Sequence, residues 1–283
     1  SYINFQLAEE LYKASDFEGA VRFYEQSLEP IKEDEWSYLS STIYYKLFKC
    51  SIELKKHYAS IMNLLELCLI PDKQLNQSKL LKIKSLTENQ DNFKKILEPS
   101  TDKVLINVST DETYDILQSE VLFESSEFSL SKSAHFQVKL KSNLNQILNT
   151  VKFNDLLISF QGSFLPILLK CDTNLPSQNV FAVDDLKYDE DSNYLAGTAN
   201  LTFSSYEEKI LKFEIPAKKI GSNTCVSISS TLEYKDLFEI KLNVPINNKT
   251  FQTRHHWFED EHANRIITNH TPESCEIVPR IPE

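Results

Sequence analysis

Glycine is rare in this chain, with only four among 283 residues. Loops that bind nucleotide phosphates depend on glycine, because its backbone can approach the phosphate closely. Neither the GxGxxG pattern nor the GxxxxGK(S/T) pattern occurs in the sequence. Most nucleotide chemistry is therefore excluded.

Basic residues are outnumbered as well, with 30 Lys and Arg against 41 Asp and Glu and a net charge of −11. A general nucleic-acid binder needs a basic surplus to neutralise phosphates, so nucleic acid is not an expected partner. The same negative charge argues against direct docking on anionic lipid.

Long apolar runs are missing too. The longest stretches, such as residues 164–169, fall far short of the roughly 20 residues that cross a bilayer. No signal peptide opens the chain, so we expect no direct membrane insertion. The start at Ser1 without Met and the end at Glu283 predict a piece of a longer protein.

Paired cysteines are absent: the five cysteines are scattered and form no CxxC pair. This usage favours a reducing cytosol, where buried thiols act as small apolar side chains. Asn-x-Ser/Thr sequons point the other way, but they are only slightly more frequent than chance. They lie at Asn76, Asn107, Asn200, Asn248 and Asn269. We expect a cytoplasmic protein.

Residues 1–98 have the apolar spacing of helices. The pattern predicts a first pair of helices separated by a turn at Ser15, with Asp16 as N-cap and Pro30 just past the end of the second helix. Ser15 replaces the glycine usual at such turns, which predicts a less extreme turn. Further helices are expected at residues 36–55 and 58–69, and another pair within 73–97.

This helical segment also repeats itself. A shift of 41 positions places Phe17 on Tyr58, Ala20 on Ile61 and other landmarks on apolar residues. Repeated helical hairpins are typical of an α-solenoid, and the first copy is close to the tetratricopeptide (TPR) pattern. An ordinary helical hairpin without repeat kinship is the alternative.

From residue 99 the apolar period becomes two, as in Phe136, Val138 and Leu140. The same alternation predicts that Val226 and Ile228 face the core. Such patterns belong to antiparallel strands with one buried face. We predict an α+β multidomain chain: TPR-like helices at 1–98, an immunoglobulin-like β-sandwich at 99–246, and a linker or the start of a further module at 247–283.

Histidines and acidic residues are concentrated between His255 and His262. On a helix, His255, Glu259 and His262 would share a face that suits zinc, although the spacing matches no established zinc signature. The alternative is an acidic linker with solvated histidines, in which Trp257 packs on the sandwich or a partner. The acidic run at residues 184–191 lacks the spacing of an EF-hand and predicts a solvated loop.

The sequence carries no catalytic signature. The nucleophile elbow GxSxG is absent, and no cysteine carries a recognisable protease motif. We therefore predict no catalytic residue, no cofactor and no metal ligand. Trp36, Tyr38 and Trp257 are the candidate partner contacts, because Trp and Tyr are enriched at interface hot spots.

Several segments resemble the foie gras family, subunit 11 of the TRAPP vesicle-tethering complex. They are the Tyr-Lys-Ala-x-Asp-Phe-Glu-x-Ala-x-x-x-Tyr motif at residues 12–24, the acidic-Trp segment at 35–39, and the segment at 58–67. The strands at residues 136–143 and 156–160 resemble those of the family's β-sandwich modules. Related trafficking solenoids, including the tenth TRAPP subunit, could share these packing motifs.

The resemblance implies a non-catalytic scaffold that contacts other tether subunits and supports a Rab GTPase indirectly. It also implies action in ER–Golgi transport, a link to autophagy and a cytoplasmic location peripheral to Golgi-directed membranes. Two alternatives stay open. One is a metal-dependent hydrolase or carbohydrate-binding module that uses the His255–His262 cluster, and the other is a peptide-binding repeat protein unrelated to trafficking.

Overall fold

The computed structural model describes residues 2–33, 37–97, 104–107, 115–247 and 272–279. The chain is α+β, with helices first and strands after them, as the sequence predicts. The described residues contain six α-helices and one 3-10 turn, Asp72–Gln74. The helices are α1 (Tyr2–Lys13), α2 (Phe17–Glu33), α3 (Ser37–Glu53), α4 (His57–Leu69), α5 (Gln77–Glu88) and α6 (Gln90–Leu97). None of them is long and apolar enough to cross a bilayer.

The turn between α1 and α2 is a left-handed C-terminal cap. Ser15 has φ of 62°, and its N–H donates to the Tyr12 carbonyl at 3.1 Å, while the Asp16 N–H donates to Leu11 at 2.9 Å. These two bonds define a Schellman motif, which normally carries glycine. The expectation of a less extreme turn at Ser15 is wrong, because the bonding pattern imposes the left-handed conformation whichever residue is present.

Asp16 caps α2 as the sequence predicts. Its Oδ1 accepts the Gly19 N–H at 3.0 Å. A β-carbon on Gly19 would lie 2.4 Å from the Asp16 carboxylate, so glycine at this position leaves room for the cap.

The turn between α3 and α4 copies the first one with an offset of 40 residues. Lys55 has φ of 55°, its N–H donates to Ile52, and the Lys56 N–H donates to Ser51. The sequence shift of 41 is therefore one residue too long. At an offset of 40, Ala20 corresponds to Ser60, and both small residues are buried. At some landmarks, such as Leu64 and Leu65, residues one position apart are both apolar, so the apolar pattern there fits both offsets.

Pro30 lies inside α2 and not beyond its end, which corrects the sequence prediction. Leu28 and Ile31, on either side of it, are both buried. Burial of these side chains outweighs the single backbone hydrogen bond that a proline in the last turns removes.

The chain divides into two compact units. The first contains residues 1–106 together with two short segments that come much later in the sequence, 144–149 and 235–238. Asn145 ties the first of these to the helices: its Nδ2 donates to the carbonyls of Leu67 at 2.7 Å and Ile70 at 2.8 Å. It thereby supplies a donor to carbonyls at the end of α4, where the regular i+4 partners of the helix run out.

The second unit consists mainly of strands. The described residues form fourteen strands across the chain. They are β1 (Val104–Asn107), β2 (Leu117–Phe123), β3 (Glu127–Ser129), β4 (Ser133–Ser142), β5 (Thr150–Gln161), β6 (Ile167–Cys171), β7 (Val180–Val183), β8 (Lys187–Asp189), β9 (Tyr194–Ala199), β10 (Thr202–Ser204), β11 (Glu208–Pro216), β12 (Gly221–Tyr234), β13 (Phe238–Val244) and β14 (Ser274–Val278).

These strands form two sheets. The larger contains the order β13-β12-β5-β6-β9-β8, and the smaller has the order β2-β4-β11-β7. Most pairings are antiparallel, as predicted, but β6 with β9, β11 with β7 and β14 with β3 are parallel. The unit is therefore a mixed sheet structure.

Phenylalanines fill the space between the two sheets. Phe136 of β4 stacks on Phe213 of β11 at 4.8 Å and meets Phe160 of β5 edge-on at 5.4 Å. Phe136 and Phe213 are completely buried. Since β4 and β5 belong to different sheets, the two sheets pack face to face in a sandwich-like arrangement.

Alternation fails at one predicted position in β12. Val226 is 51% exposed, whereas Cys225 beside it is buried. The pairing of β12 with β5 shifts register between Cys225 and Ser227. A β-bulge of this kind inserts an extra residue and reverses the faces on one side of it.

Strand β14 lies in the segment 247–283, for which the sequence predicts a linker or a further module. In the structure Ser274–Val278 pairs with β12 and β3 in the large sheet. Cys275 and Ile277 are its buried residues. Two apolar residues in a polar segment are too few for alternation to predict a strand. Residues 274–278 become a strand because they pair with the existing sheet.

Candidate functional site

Of the three predicted contact residues, only Tyr38 lies within the described part of the chain. It is on the first turn of α3, and 59% of its surface is exposed. Trp36 and Trp257 lie outside the described residues, as does the whole His255–His262 cluster.

Tyr38 belongs to one face of α3. Four residues of α3 share this side of the helix, because they follow each other at steps of four, three and one residue. They are Tyr38, Thr42, Tyr45 and Lys46. Residues of α1 lie against one edge of this row and residues at the start of α5 against the other. We call the whole set the α3 face. It comprises Glu9, Tyr12, Tyr38, Thr42, Tyr45, Lys46, Asn76 and Lys79.

On the α1 side, Glu9 is held by two donors. The Tyr24 hydroxyl donates to Glu9 Oε1 at 2.5 Å, and Lys46 Nζ lies 3.0 Å from Glu9 Oε2. Lys46 Nζ also lies 4.0 Å from the centre of the Tyr12 ring, a cation–π contact. The charge of Lys46 is thus fully engaged inside the protein.

These contacts determine the ionisation of Glu9. Burial acts to raise the pKa of Glu9, but the hydrogen bonds from Tyr24 and Lys46 outweigh it and hold that pKa below its ordinary value. In return, burial and the bond to Glu9 raise the pKa of Tyr24. Glu9 is therefore a structural carboxylate and Tyr24 a neutral donor at neutral pH.

On the α5 side, Asn76 and Lys79 reach across to α3. Asn76 Nδ2 donates to the Tyr38 hydroxyl at 3.0 Å, while its Oδ1 accepts the Ser78 N–H at 3.1 Å and so caps α5. Lys79 Nζ donates to the Thr42 hydroxyl at 3.0 Å and lies 5.7 Å from the centre of the Tyr45 ring. The amide of the Asn76 sequon is thus used in a structural bond.

The α3 face is suited to binding and not to bond cleavage. It presents tyrosines and lysines that are fixed by hydrogen bonds, with no serine–histidine or cysteine–histidine pair among them. Cys50, on the same helix, is buried, and burial raises its pKa to about 11, so it has little thiolate character. Among the described residues, no group of three His, Cys, Asp or Glu is placed to hold a metal ion.

The second unit has a cavity of about 350 Å³ beside a bulge in the pairing of β5 with β12. Asp155, Leu157 and Lys241 are part of its lining. The Asp155 carboxylate already accepts the Thr231 N–H at 3.0 Å, and its second oxygen lies 3.5 Å from the Thr231 hydroxyl. This carboxylate therefore stabilises the bulge, since both its oxygens are occupied within the sheet.

Charged side chains are buried in the same unit. Glu120 of β2 and Lys139 of β4 face each other across the small sheet at 3.3 Å, and their side chains are 1% and 7% exposed. Burial raises the pKa of Glu120, while Lys139 acts in the opposite direction. The predicted alternation places Lys139 on the solvent face of β4. The sequence therefore did not predict this buried pair.

The acidic run at residues 184–191 makes local bonds. Asp185 accepts from both the N–H and the hydroxyl of Thr198, at 3.1 and 2.6 Å. Asp189 Oδ2 accepts from Ser192 at 2.6 Å. The two carboxylates thus bind nearby turns and strands. The predicted loop is only partly confirmed, because Lys187–Asp189 forms strand β8 and pairs with β9.

Sequence reasoning singled out Tyr38 but missed Glu9, Lys46 and Lys79, which give the face its charge. Lys46 contacts Glu9, 37 positions earlier, and Lys79 contacts Thr42, again 37 positions earlier. A periodicity argument within one helix cannot detect such pairs. The two contacts share this separation but do not superpose at the 40-residue offset of the hairpins, so no signal in the sequence identifies them.

No protein-family model matches the sequence, and no curated protein matches it significantly. The CARDB domain of PF1109 from Pyrococcus furiosus is a structural neighbour at 12% identity, covering 49% of this chain and 100% of that chain, with a TM-score of 0.22. The sporulation control protein Spo0M of Bacillus subtilis is similar at 12% identity over 47% of this chain and 50% of its own, with a TM-score of 0.23. A β-glucosidase of Listeria innocua is similar at 11% identity over 46% of this chain and 17% of its own, with a TM-score of 0.20. These similarities assign neither a family nor a function.

Proposed function

We propose that this chain is a non-catalytic scaffold subunit of a vesicle-tethering complex of the TRAPP type. In this proposal the helices are TPR-like repeats of an α-solenoid, and the sheets form an immunoglobulin-like β-sandwich. The observation that carries it is the repetition of the α1–α2 turn in the α3–α4 turn, 40 residues on. The foie gras resemblance of residues 12–24 supplies the trafficking context.

The repeated hairpins support a binding role for a physical reason. Consecutive hairpins with the same turn place their first helices side by side, which creates an extended surface for a partner. Here α1 and α3 are the first helices of the two hairpins that share this turn, and α5 adds its start to the α3 face, although the α5–α6 connection at Asn89 does not repeat the left-handed turn. Its tyrosines offer rigid contact area with a polar end, which is typical of protein interfaces.

The scaffold acts through its neighbours. It contacts other subunits of the tether, which together support activation of a Rab GTPase in ER–Golgi transport and autophagy. It stays in the cytoplasm and reaches Golgi-directed membranes through these subunits. The net charge of −11 supports this indirect recruitment, since an acidic chain is repelled by anionic lipid.

Co-purification tests the proposal. The tagged chain, recovered from native lysate, is expected to bring down other tether subunits that mass spectrometry identifies. Changing Ile3 and Leu7 to Glu should weaken this recovery, because both lie on the first hairpin and are 80% and 42% exposed. Val226→Glu, at a residue 51% exposed on a strand, is the control and should leave recovery unchanged.

Two outcomes count against the scaffold. The first is a tagged chain that folds but brings down no tether subunit from any lysate. The second is a recovery that falls equally in the Ile3 and Leu7 variant and in the Val226 control, which would show that the loss is not specific to the first hairpin.

A further inference from the structure

Lys46 and Lys79 are both half-buried on the α3 face, but their surroundings differ. Lys46 has a carboxylate partner, Glu9, at 3.0 Å. Lys79 contacts only the Thr42 hydroxyl and the Tyr45 ring, and no carboxylate of the described residues lies within ion-pair distance of it. The two lysines thus form an internal comparison, with one charge neutralised and the other not.

Glu9 cannot serve both lysines. Its two oxygens are taken by Tyr24 and Lys46, so it acts on Lys79 only through space. Burial and the nearby Lys46 lower the pKa of Lys79, which is the direction expected for a cation without a counter-charge. The α3 face therefore carries one positive charge more than its carboxylates neutralise.

The Tyr38 hydroxyl is a second donor on the α3 face, and Asn76 links it to the start of α5. Asn76, three residues before Lys79, donates to the Tyr38 oxygen. That bond uses the oxygen as an acceptor, so the Tyr38 hydroxyl proton remains able to donate to a ligand. Tyr38 is 59% exposed, so solvent reaches much of its side chain.

We propose that Lys79 and Tyr38 form a carboxylate-binding subsite for an acidic peptide segment of a partner protein. The proposal deepens the scaffold function and rests on it. An ammonium and a phenol hydroxyl supply two donors to one carboxylate, and the charge-assisted bond is the stronger of the two. The peptide backbone then runs along Thr42 and Tyr45.

A carboxylate fits better than a phosphate here. A phosphorylated residue carries up to about two negative charges, and its usual sites contain several arginines. The α3 face offers a single uncompensated lysine and no arginine. One carboxylate matches that charge, and the flanking tyrosines add contact area for the neighbouring peptide residues.

The test uses fluorescein-labelled hexaglutamate as the probe and fluorescence anisotropy as the readout, at about 50 mM salt to limit screening. The intact chain should bind hexaglutamate and not the matching hexaglutamine peptide. Lys79→Gln should weaken binding by about tenfold or more, and Tyr38→Phe by about threefold, since each removes one donor. Lys79→Arg keeps the charge and should retain most of the affinity.

Lys55→Gln is the matched control. Lys55 is an exposed lysine at the α3–α4 turn, so the variant loses the same charge away from the α3 face and should bind like the unchanged chain. Equal weakening by Lys79→Gln and Lys55→Gln would overturn the subsite, because it would show binding to overall charge only. Full affinity in Lys79→Gln would overturn it as well.

Circular dichroism and competition by anions complete the test. The Lys79→Gln variant should keep the helical content and thermal midpoint, so that lost binding is not lost folding. Competition by inorganic phosphate that exceeds acetate at equal ionic strength would overturn the carboxylate assignment. If tether subunits co-purify equally with Lys79→Gln, the subsite fails and the scaffold stands; if hexaglutamate binds as predicted and no tether subunit is recovered, the scaffold fails.

Discussion

Ser15 and Lys55 hold the same left-handed backbone conformation, with φ of 62° and 55°. Both follow the end of a helix, and both make the same i−3 hydrogen bond, to Tyr12 and Ile52. Neither is glycine, although glycine adopts this conformation without steric cost. The α1–α2 and α3–α4 hairpins therefore each contain a strained residue at the same place.

Replacing either residue with glycine should stabilise the helices. Ser15→Gly and Lys55→Gly are each expected to add about 0.5–1 kcal/mol, the net gain from removing the clash of the β-carbon. Urea unfolding followed at the helical circular dichroism band measures this. Gln6→Gly, at an exposed position in the middle of α1, is the control and should cost about 0.5–1 kcal/mol. Destabilisation by Ser15→Gly would contradict the left-handed turn.

Acid should weaken the first unit through Glu9. Because the folded protein holds the pKa of Glu9 below its ordinary value, the carboxylate stabilises the fold above that ordinary value, and this contribution is lost as the pH falls through the lowered pKa. The thermal midpoint of the helices should therefore differ between the unchanged chain and Glu9→Gln at pH 7, and the difference should shrink towards about pH 3.

Glu10→Gln provides the comparison for Glu9. Glu10 is the next residue on α1, and its pair with Lys13 is exposed to solvent. This variant should match the unchanged chain at both pH values. A difference between Glu9→Gln and the unchanged chain that stays constant down to pH 3 would show that Glu9 contributes by packing and not by charge.

The buried pair of Glu120 and Lys139 should behave as a unit. Lys139→Met leaves a buried carboxylate without its partner and should cost about 3 kcal/mol, whereas combining it with Glu120→Leu should return stability to within about 1 kcal/mol of the original. Lys141→Met is the control on the same strand. Its pair with Glu208 is 37% and 61% exposed, so it should cost less than about 1 kcal/mol. Additive costs in the double variant would refute the coupling.

Cys171 should react with a thiol reagent faster than the other four cysteines. Cys171 is only partly buried, while the other four are buried. Burial raises the pKa of all five thiols, Cys171 included, so access to the reagent and not thiolate content distinguishes them. Ellman's reagent should modify one thiol of the native protein quickly and all five after denaturation. The fast reaction should vanish in Cys171→Ser, and more than one fast thiol would contradict the described burial.

Asn145 should stabilise the helical unit, although it lies far from the helices along the chain. Asn145→Ala removes a donor from the carbonyls of Leu67 and Ile70 and should cost about 2 kcal/mol, measured at the helical circular dichroism band. Gln146→Ala is the control, because its side chain is exposed. An effect of Asn145→Ala no larger than the control would mean that water replaces the amide.

The α-then-β order was predictable because its signals are local. The helical spacing around Phe17 and the alternation at Phe136 and Val138 each come from a few neighbouring residues, as does the Asp16 cap. Local signals also misled. Pro30 predicted a helix end that packing overrides, and the alternation at Val226 was broken by a bulge that depends on the opposite strand.

On the α3 face, too, the sequence predicted a local feature but not the contacts between helices. Tyr38 stood out as an aromatic residue suited to an interface, but nothing close to it in sequence identifies Lys79 or Asn76 as its neighbours. Those contacts arise because α5 packs beside α3. The difference between Lys46 and Lys79, on which the carboxylate subsite depends, exists only once Glu9 has been placed next to one of them.

The amino-acid sequence alone determined the helices before residue 98 and the strands with clear alternation, such as β4, β11 and β13, because hydrophobic periodicity and capping act over a few residues. It did not determine β8 or β14, which form by pairing with strands already in the sheet. The folded chain decided the 40-residue register of the hairpins, the inclusion of residues 144–149 in the helical unit, and the burial of Lys139. Each of these depends on residues far apart in the chain, whose pairing is selected by packing and by the need to satisfy buried polar groups.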